Sequence, residues 1–283
     1  MNATLASWLR SPLPRVVRAR SSVRTGRRGP QGPRPRVLLT GAAGLIGGVL
    51  RAGLADRHDV EGLDRVQGSG AEWVVDMRKL RRVERAVEGM DFVVDLAANS
   101  DVSASWESVL RNNVAATFNC LEAARRAGVT RVVFASSNHV VGLYERDEPY
   151  ASVVAGEYAG LDPEQLPRLT SGAPIRPDSA YGVGKAFGEA AARFYAEEHG
   201  LSVLCLRIGT VNPEDRPTHV RQFATLLPHR DLLQLVARCL EAPASVGFGI
   251  FYGVSHNTWR LWDIEEARGA IGYDPIDDTE RWR

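Results

Sequence analysis

The chain has 283 residues, of which 44% are hydrophobic and 24% are charged, and its formal net charge is +1. This composition is typical of a globular protein with a large core, and no apolar run approaches the roughly 20 residues that a membrane-spanning helix needs. The charge is uneven: residues 1–36 hold nine Arg and no acidic residue, which leaves 26 Lys and Arg against 34 Asp and Glu elsewhere, a net of −8. An acidic body argues against a nucleic-acid partner.

Residues 1–35 are predicted to be a disordered leader, since they are rich in Arg, Ser, Pro and Gly. They lack the continuous apolar segment of a secretory signal, but transit peptides and basic arms share this composition, so organelle targeting stays open. Cys120, Cys205 and Cys239 are widely spaced and form no Cys-x-x-Cys pair. Such cysteines indicate buried thiols in a reducing compartment and neither a disulfide framework nor a metal site. We therefore expect a cytoplasmic protein with a dispensable extension.

The folded part is predicted to begin with a buried strand at Arg36–Thr40, followed by the loop Gly41-Ala-Ala-Gly44-Leu-Ile-Gly47 and a helix at Val49–Asp56. Glycines let the backbone turn tightly and approach a pyrophosphate, whose charge the following helix N-terminus favours. A second strand at Asp59–Leu63 ends in Asp64, where a carboxylate binds ribose hydroxyls and repels a 2′-phosphate. This order predicts a dinucleotide site that prefers NAD, although the neighbouring Arg65 is a residue type that favours NADP.

Strands and helices continue to alternate along the chain. Further strands are predicted at Glu72–Val75, Asp91–Leu96, Arg131–Ala135, Ser202–Arg207 and Gly247–Tyr252. Helices are predicted at Arg78–Glu88, within Ala104–Ala127, from Ser179 to His199, and at Arg230–Glu241 and Trp262–Tyr273. The pattern predicts an α/β fold, a doubly wound parallel Rossmann sheet over residues 36–283 with a small substrate-binding cap from about 140–178 and 208–260. Ligands of such sheets bind beyond the carboxyl ends of the strands.

A possible catalytic set follows from Ser179-Ala-Tyr-Gly-Val-Gly-Lys185. Tyr181 and Lys185 are four residues apart in a predicted helix and therefore share one face. A phenol in water has a pKa of about 10, and a nearby ammonium stabilises the phenolate. A lone Tyr-x-x-x-Lys is more often a half-buried tyrosine and a surface lysine. Here Ser137 follows the fifth strand, so the chain has the order and separation of a hydroxyl–phenol–ammonium dehydrogenase site.

Three segments carry a resemblance to a known family: Phe134-Ala-Ser-Ser-Asn-His-Val-Val-Gly142, Arg176-Pro-Asp-Ser-Ala-Tyr-Gly-Val-Gly-Lys-Ala-Phe-Gly-Glu189 and Arg207-Ile-Gly-Thr-Val-Asn-Pro-Glu214. With the Thr40–Gly47 loop and Leu96-Ala-Ala, they make the chain similar to the extended short-chain dehydrogenases/reductases of the NAD-dependent epimerase/dehydratase family. Within that family it most resembles the uronate dehydrogenases. The likeness runs from about Val37 to the C-terminus.

The resemblance implies an NAD-dependent enzyme that oxidises C1 of a hexuronic acid to an aldonolactone. Tyr181 would be the general base, Lys185 would stabilise its phenolate and hold the cofactor ribose, and Ser137 would bind the reacting hydroxyl. Arg221 would bind the substrate carboxylate, with Arg216 and Arg230 as alternatives. Sugar hydroxyls would contact Ser100, Ser137, Asn138, His139 and Thr210, the last replacing the usual Ser. The implied cofactor residues are Gly41, Ala43, Gly44, Leu45, Ile46, Gly47, Asp64, Asp76, Met77, Leu96, Ala97, Ala98, Asn113, Tyr181, Lys185 and Ile208.

Some questions remain open at the level of sequence. An epimerase or dehydratase of the same superfamily shares the Tyr181 and Lys185 chemistry, although a dehydratase would carry an acidic pair where this chain has Asn138-His139. A non-catalytic dinucleotide sensor has no use for a phenol and an ammonium so arranged, and nothing specific indicates a structural subunit. The segment Tyr144–Ile175 is predicted to lie over the substrate as a lid, Asn257 is a weaker substrate candidate, and a homo-oligomer is compatible with the sequence.

Overall fold

The computed structural model of the protein describes residues 34–283. The predicted leader therefore lies outside the described residues, apart from Arg34 and Pro35.

The described chain forms one sheet in which every strand pair is parallel. The strands are β1 Arg36–Thr40, β2 Asp59–Asp64, β3 Trp73–Val74, β4 Phe92–Asp95, β5 Arg131–Ser137, β6 Ser202–Ile208 and β7 Phe248–Gly253. Their spatial order is β3-β2-β1-β4-β5-β6-β7, so the direction in which the sheet grows reverses between β1 and β4. A doubly wound sheet has its ligand crevice at that reversal. The predicted fold class is confirmed.

Helices connect the strands and cover both faces of the sheet. They are α1 Leu45–Leu54, α2 Leu80–Val87, α3 Trp106–Val109, α4 Ala115–Ala127, α5 Tyr150–Ala155, α6 Ala180–His199, α7 Gln222–Thr225, α8 His229–Glu241 and α9 Glu265–Ile271. Helix α1 begins directly after Gly44, earlier than the predicted Val49, and α9 is shorter than predicted. The stretch between α3 and α4, Leu110–Val114, is a π-helical turn. None of the helices between residues 34 and 283 combines the length and hydropathy that crossing a bilayer requires.

Two hydrophobic clusters flank the sheet. This is expected of an all-parallel sheet, whose faces are both covered by other elements. One lies under α1, α8 and the C-terminal elements, and the other lies under α2, α4 and α6. Strands β5 and β6 are buried at every position, as expected of central strands covered on both faces. Cys120, Cys205 and Cys239 are all free and buried, which confirms their interpretation as core thiols. Burial raises the pKa of each thiol.

The segment predicted to be a lid packs most of its apolar side chains into the core. Its apolar residues Tyr150, Val153, Leu166 and Leu169 belong to the larger hydrophobic cluster. The Leu169 N–H donates to the Leu261 carbonyl, and the Asp263 N–H donates to the Leu169 carbonyl, at 2.9 Å each. No residue of 144–175 lines the cavity described below. These side chains anchor the segment in the core beside the C-terminal elements, and its role as a lid stays a prediction.

Candidate active site

A cavity of about 900 Å³ lies at the carboxyl ends of the strands. This size is at the upper end of the range that small-molecule sites occupy. Most residues predicted to contact a cofactor or substrate line it: Gly41, Gly44, Leu45, Ile46, Gly47, Asp64, Asp76, Met77, Leu96, Ala97, Ala98, Ser100, Ser137, Asn138, His139, Tyr181, Lys185, Ile208, Thr210 and Arg221. The fold therefore collects residues that are separated by as much as 180 positions in the chain.

One end of the cavity is built from the glycine loop after β1. Gly41 has a φ of 67°, a left-handed conformation that residues with a side chain rarely adopt. A Cβ there would also come within 3.1–3.2 Å of the Leu96–Ala97 backbone at the end of β4. The loop leads straight into α1, and the first N–H groups of a helix have no partner within the helix. Gly44, Leu45 and Ile46 at this helix start line the cavity, an arrangement that suits a pyrophosphate.

Asp64 stands at the end of β2 beside this loop. Its Oδ2 accepts a hydrogen bond from the Ala43 N–H and its Oδ1 from the Val66 N–H, at 3.0 Å each. A carboxylate has about four acceptor positions, so the side chain is fixed and still has capacity for two hydroxyl donors. The geometry suits the 2′- and 3′-hydroxyls of an adenosine ribose.

Two cations also line this end of the cavity, and they are not equivalent. Arg78 is held by Asp76, whose two oxygens accept from the Arg78 guanidinium at 2.6–3.0 Å. These hydrogen bonds lower the pKa of Asp76 to about 2. The charge of Arg78 is thus offset by a neighbour, whereas Arg65 forms no ion pair within residues 34–283. Arg65 is the residue that would favour a 2′-phosphate.

We expect the enzyme to use NAD with a kcat/KM at least about tenfold above that with NADP, because a 2′-phosphate would meet the Asp64 carboxylate at close range. Steady-state rates with both cofactors at one substrate concentration measure this. Asp64→Asn should lower the ratio of kcat/KM with NAD to kcat/KM with NADP. Equal efficiency of the two cofactors in the wild type would mean that Arg65 outweighs Asp64.

The end of β4 is joined to β1 by buried hydrogen bonds. Thr40 Oγ1 donates to Asp95 Oδ1 at 2.7 Å and accepts from the N–H groups of Leu96 and Ala97 at 3.1 Å each. Burial raises the pKa of Asp95. Further along the chain, Asn113 lies in the π-helical turn. Its Oδ1 accepts from the Asn99 N–H and its Nδ2 donates to the Asn99 carbonyl, at 2.9 Å each. Asn113 therefore positions the loop after β4 and does not itself line the cavity.

Tyr181 and Lys185 lie in the first turns of α6, as their spacing predicts. The helix begins after Ser179, whose Oγ accepts from the Gly182 N–H at 3.1 Å. A Cβ at Gly182 would meet the His139 carbonyl at 2.3 Å, so this glycine lets the helix approach the loop after β5. Lys185 Nζ donates to the Ala135 carbonyl at 2.5 Å and lies 5.7 Å from the centre of the Tyr181 ring. The ammonium is thus fixed beside the phenol.

The loop after β5 supplies the remaining polar groups near Tyr181. Ser137 is buried, and its Oγ accepts from the His139 N–H at 3.2 Å. His139 lies edge-on to Tyr181 with 5.7 Å between ring centres, and its Nδ1 is 2.7 Å from Asp178 Oδ2. Burial alone would raise the pKa of Asp178, but the hydrogen bond and the charge that it meets at His139, together with its hydrogen bond from Ser179, lower the pKa overall. An ionised Asp178 that accepts from Nδ1 leaves Nε2 as the free ring nitrogen of His139.

The far end of the cavity is formed by Thr210, Asn138 and Arg221. Arg221 Nε and Nη2 donate to the two oxygens of Glu145 at 2.6 and 2.7 Å, a bidentate pair. Arg221 Nη1 donates to Thr210 Oγ1 at 3.3 Å. The Asn138 amide satisfies both of its ends when its nitrogen donates to the Ile208 carbonyl (3.1 Å) and its oxygen accepts from Arg221 Nη2 (2.7 Å). Arg221 thus brings a guanidinium to this end of the cavity.

Several predicted residues lie outside the cavity. The alternatives Arg216 and Arg230 do not line it, and Arg230 pairs with Asp277 at 2.7 Å. Ala43 contributes its N–H to Asp64, as described above. Asn257 is fully buried, where it holds the Leu226 carbonyl and the Thr279 N–H, so it is a structural residue.

Two charged neighbours of the cavity residues were missed by sequence reasoning. Asp178 sits in the Arg-Pro-Asp motif, so its motif was noticed but its contact with His139 was not. Glu145 lies 76 residues from Arg221, and no local pattern links them.

Comparison with known proteins agrees with this geometry. The model of the NAD-dependent epimerase/dehydratase family matches residues 37–242. The chain belongs to this family. It is 36% identical to the uronate dehydrogenase of Pseudomonas putida over 89% of this chain and 87% of that protein. It is 35% identical to the NAD-dependent glucose-6-phosphate dehydrogenase of Haloferax volcanii over 86% and 94%, respectively. A mutant uronate dehydrogenase from Agrobacterium tumefaciens, solved in complex with NAD, superimposes with a TM-score of 0.74, 32% identity and 88% coverage of both chains.

Membership of an NAD-dependent family fits the donor set of this chain. The open backbone at Gly41 and Gly44, the start of α1 and the two remaining acceptor positions of Asp64 suit a pyrophosphate and a ribose. Lys185 and Tyr181 line the same cavity between this end and Arg221, where the nicotinamide ribose would be held. NAD, when bound, supplies the acceptor for a hydride.

Proposed function

We propose that the protein is an NAD-dependent dehydrogenase that oxidises C1 of a hexuronic acid to the aldonolactone. The observation that carries this proposal is a single cavity with a phenol, a hydroxyl and an ammonium in its middle and a guanidinium at its far end. The first three groups suit proton removal from a sugar hydroxyl, and the guanidinium suits a carboxylate at C6. The similarity to uronate dehydrogenases supports the same conclusion.

The protein's own residues account for the proton side of the reaction. Ser137 Oγ hydrogen-bonds the C1 hydroxyl, and Tyr181, as phenolate, removes its proton. The Lys185 ammonium stabilises the phenolate, and its bond to the Ala135 carbonyl keeps it in place. As the O–H electrons form the C1 carbonyl, C1 loses its hydrogen with both electrons. The product is a lactone because the ring oxygen stays bound to C1, and water opens it afterwards.

The polar residues at the far end orient the sugar. His139 offers Nε2, and Ser100, Asn138 and Thr210 offer hydroxyl or amide groups of the kind that sugar hydroxyls bind. Relatives of similar identity are named for different sugars, including a glucose-6-phosphate. The substrate class therefore rests on the residues of this chain, of which Arg221 is the most informative.

The epimerase or dehydratase hypothesis is less well supported. A dehydratase needs an acid–base pair next to the serine of the catalytic set, and this chain places Asn138 and His139 there. The Asn138 amide is hydrogen-bonded to the Ile208 carbonyl and to Arg221, and His139 is hydrogen-bonded to Asp178. Neither position 138 nor position 139 therefore brings an acid into the cavity.

The deciding experiment follows reduction of NAD by purified protein with galacturonate, glucuronate and the matching neutral aldoses. Galacturonate or glucuronate should be oxidised with the higher kcat/KM. Equal rates with neutral sugars would leave a general aldose dehydrogenase with the same catalytic residues. Absence of NAD reduction with every sugar would contradict the proposal as a whole.

Replacing Arg221 with Met tests the role of the guanidinium. A charge-assisted hydrogen bond is worth about 1.5–3 kcal/mol, so kcat/KM for the uronate should fall by roughly 10- to 150-fold. Activity on the matching neutral aldose should be largely spared, and comparing the two sugars cancels any loss of folding or cofactor binding. An equal loss with both sugars would show that Arg221 does not bind the carboxylate.

The remaining proposals concern the cellular location and the oligomeric state of the protein. We place the enzyme in the cytoplasm, a location that the three free, buried thiols support. We also propose a homo-oligomer, because Phe118 on α4 and Val183, Phe187 and Phe194 on α6 are exposed apolar side chains on two adjacent helices.

A further inference from the structure

Arg221, which the proposed function assigns to the substrate carboxylate, already holds a carboxylate of the protein. Glu145 occupies its Nε and Nη2 edge in bidentate geometry, at 2.6 and 2.7 Å. Planar bidentate pairs of this kind are among the strongest ion pairs in proteins. The pair is also partly withdrawn from water, with side-chain exposures of 27% for Arg221 and 16% for Glu145.

The remaining donors of Arg221 are also largely committed. Nη2 donates its second hydrogen to the Asn138 amide oxygen, and Nη1 donates one hydrogen to Thr210. A guanidinium has five N–H donors. Within the described chain four of them have protein partners, so one Nη1 hydrogen remains for a ligand.

The position of Glu145 determines which side of the Arg221–Glu145 pair faces a ligand in the cavity. Arg221, Asn138 and Thr210 line the cavity, whereas Glu145 does not. The pair therefore presents its guanidinium side to the substrate, backed by a negative charge. A carboxylate entering from the cavity gains one N–H donor, but the positive charge of Arg221 that would attract it is already balanced by Glu145. A hydroxyl gains the same donor, and its binding depends little on that charge.

We propose that Glu145 is a specificity-determining residue that limits the preference of this site for a uronate over the matching neutral aldose. It acts through Arg221, by occupying the edge that a substrate carboxylate would bind and by opposing the charge of that carboxylate. The inference rests on the proposed function for the role of Arg221. It adds that the segment following Gly142, which does not line the cavity, sets the range of sugars.

The test compares Glu145→Gln with Glu148→Gln. Gln keeps the shape of the side chain and an oxygen that accepts from Arg221, but removes the charge. Glu148 lies three residues further along the chain and is exposed, and its Oε2 accepts from the Ser152 N–H of α5 at 3.3 Å. Its substitution therefore removes the same charge without touching Arg221. KM and kcat are measured for galacturonate and galactose, and for glucuronate and glucose.

In Glu145→Gln we expect the KM for the uronate to fall about tenfold, with kcat and the KM for the neutral aldose changed by less than about twofold. Glu148→Gln should match the wild type. An unchanged or higher uronate KM would overturn the proposal, as would an equal change for both sugars, which is what a merely structural role of Glu145 would produce.

A binding measurement separates this inference from the proposed function. Affinity for galacturonate is measured by calorimetry on Tyr181→Phe protein with and without Glu145→Gln, which needs no turnover. Tighter binding with Glu145→Gln supports the inference even if the wild type oxidises no uronate, and unchanged binding overturns it even if the wild type does. Should Glu145→Gln fail to fold, Glu145→Ala is measured in the same way and the same two outcomes decide.

Discussion

Replacing Tyr181 with Phe is expected to lower kcat by about 10²–10⁴-fold, the range typical of a general base. The ring remains, so its edge-on contact with His139 (5.7 Å between ring centres) is kept and the start of α6 should be undisturbed. Only the group that removes the proton from the C1 hydroxyl is lost. The measurement is the initial rate of NAD reduction at saturating uronate.

Binding of NAD and a second tyrosine provide the controls for this variant. NAD affinity, followed by quenching of protein fluorescence, should stay within about threefold of the wild type, because the phenol makes at most one hydrogen bond to the cofactor. Tyr144→Phe removes a hydroxyl that donates to the Pro174 carbonyl (3.2 Å) outside the cavity, so its kcat should be unaffected. A Tyr181→Phe enzyme that kept a tenth or more of wild-type kcat would exclude Tyr181 as the base.

Replacing Arg207 with Met is expected to lower the free energy of unfolding by about 3–5 kcal/mol, because it leaves a buried carboxylate without its partner. Arg207 Nε and Nη2 donate to the two oxygens of Glu189 at 2.9 Å each, and the side chains are only 2% and 5% exposed. Ser136 Oγ also donates to Glu189 at 2.6 Å. Urea denaturation, followed by circular dichroism, measures the loss.

Two comparisons show whether the loss comes from the buried charge. Arg207→Met combined with Glu189→Met removes both charges and should cost much less than Arg207→Met alone, since a buried ion pair contributes little net stability. Arg111→Met breaks an exposed pair with Glu107 (62% and 72% exposed) and should change stability by less than about 1 kcal/mol. If all three variants lost equal stability, burial of the pair would not be the cause.

The parts of the site that were predictable from sequence are those whose chemistry lies in local spacing. Tyr181 and Lys185 share a helix face because they are four residues apart, and Asp64 reaches the glycine loop because it ends the strand that pairs with β1. In both cases the residue type, its element and the edge of the sheet follow from a short stretch of chain. The structure places these residues in one cavity.

The parts that could not be predicted depend on contacts between distant segments. Glu145 meets Arg221 across 76 residues, and Arg207 meets Glu189 between a strand and a helix, so neither pair leaves a periodic trace in the sequence. The packing of the segment Tyr144–Ile175 was unpredictable for the same reason. Its apolar residues indicated burial, but only the folded chain shows that their partners are near Leu261 and not over the cavity.

The central position of β5 has a consequence for how the chain is made. Arg131 on β5 pairs with Ser202 on β6, which is synthesised 71 residues later. Until then a nascent chain carries a strand that is buried at all seven positions in the finished protein but has one open edge. Open strand edges recruit other strands, and slow parallel pairing prolongs the exposure. We therefore expect chains arrested between Gly142 and Leu201 to be held by chaperones or to aggregate, whereas chains completed through β7 are not.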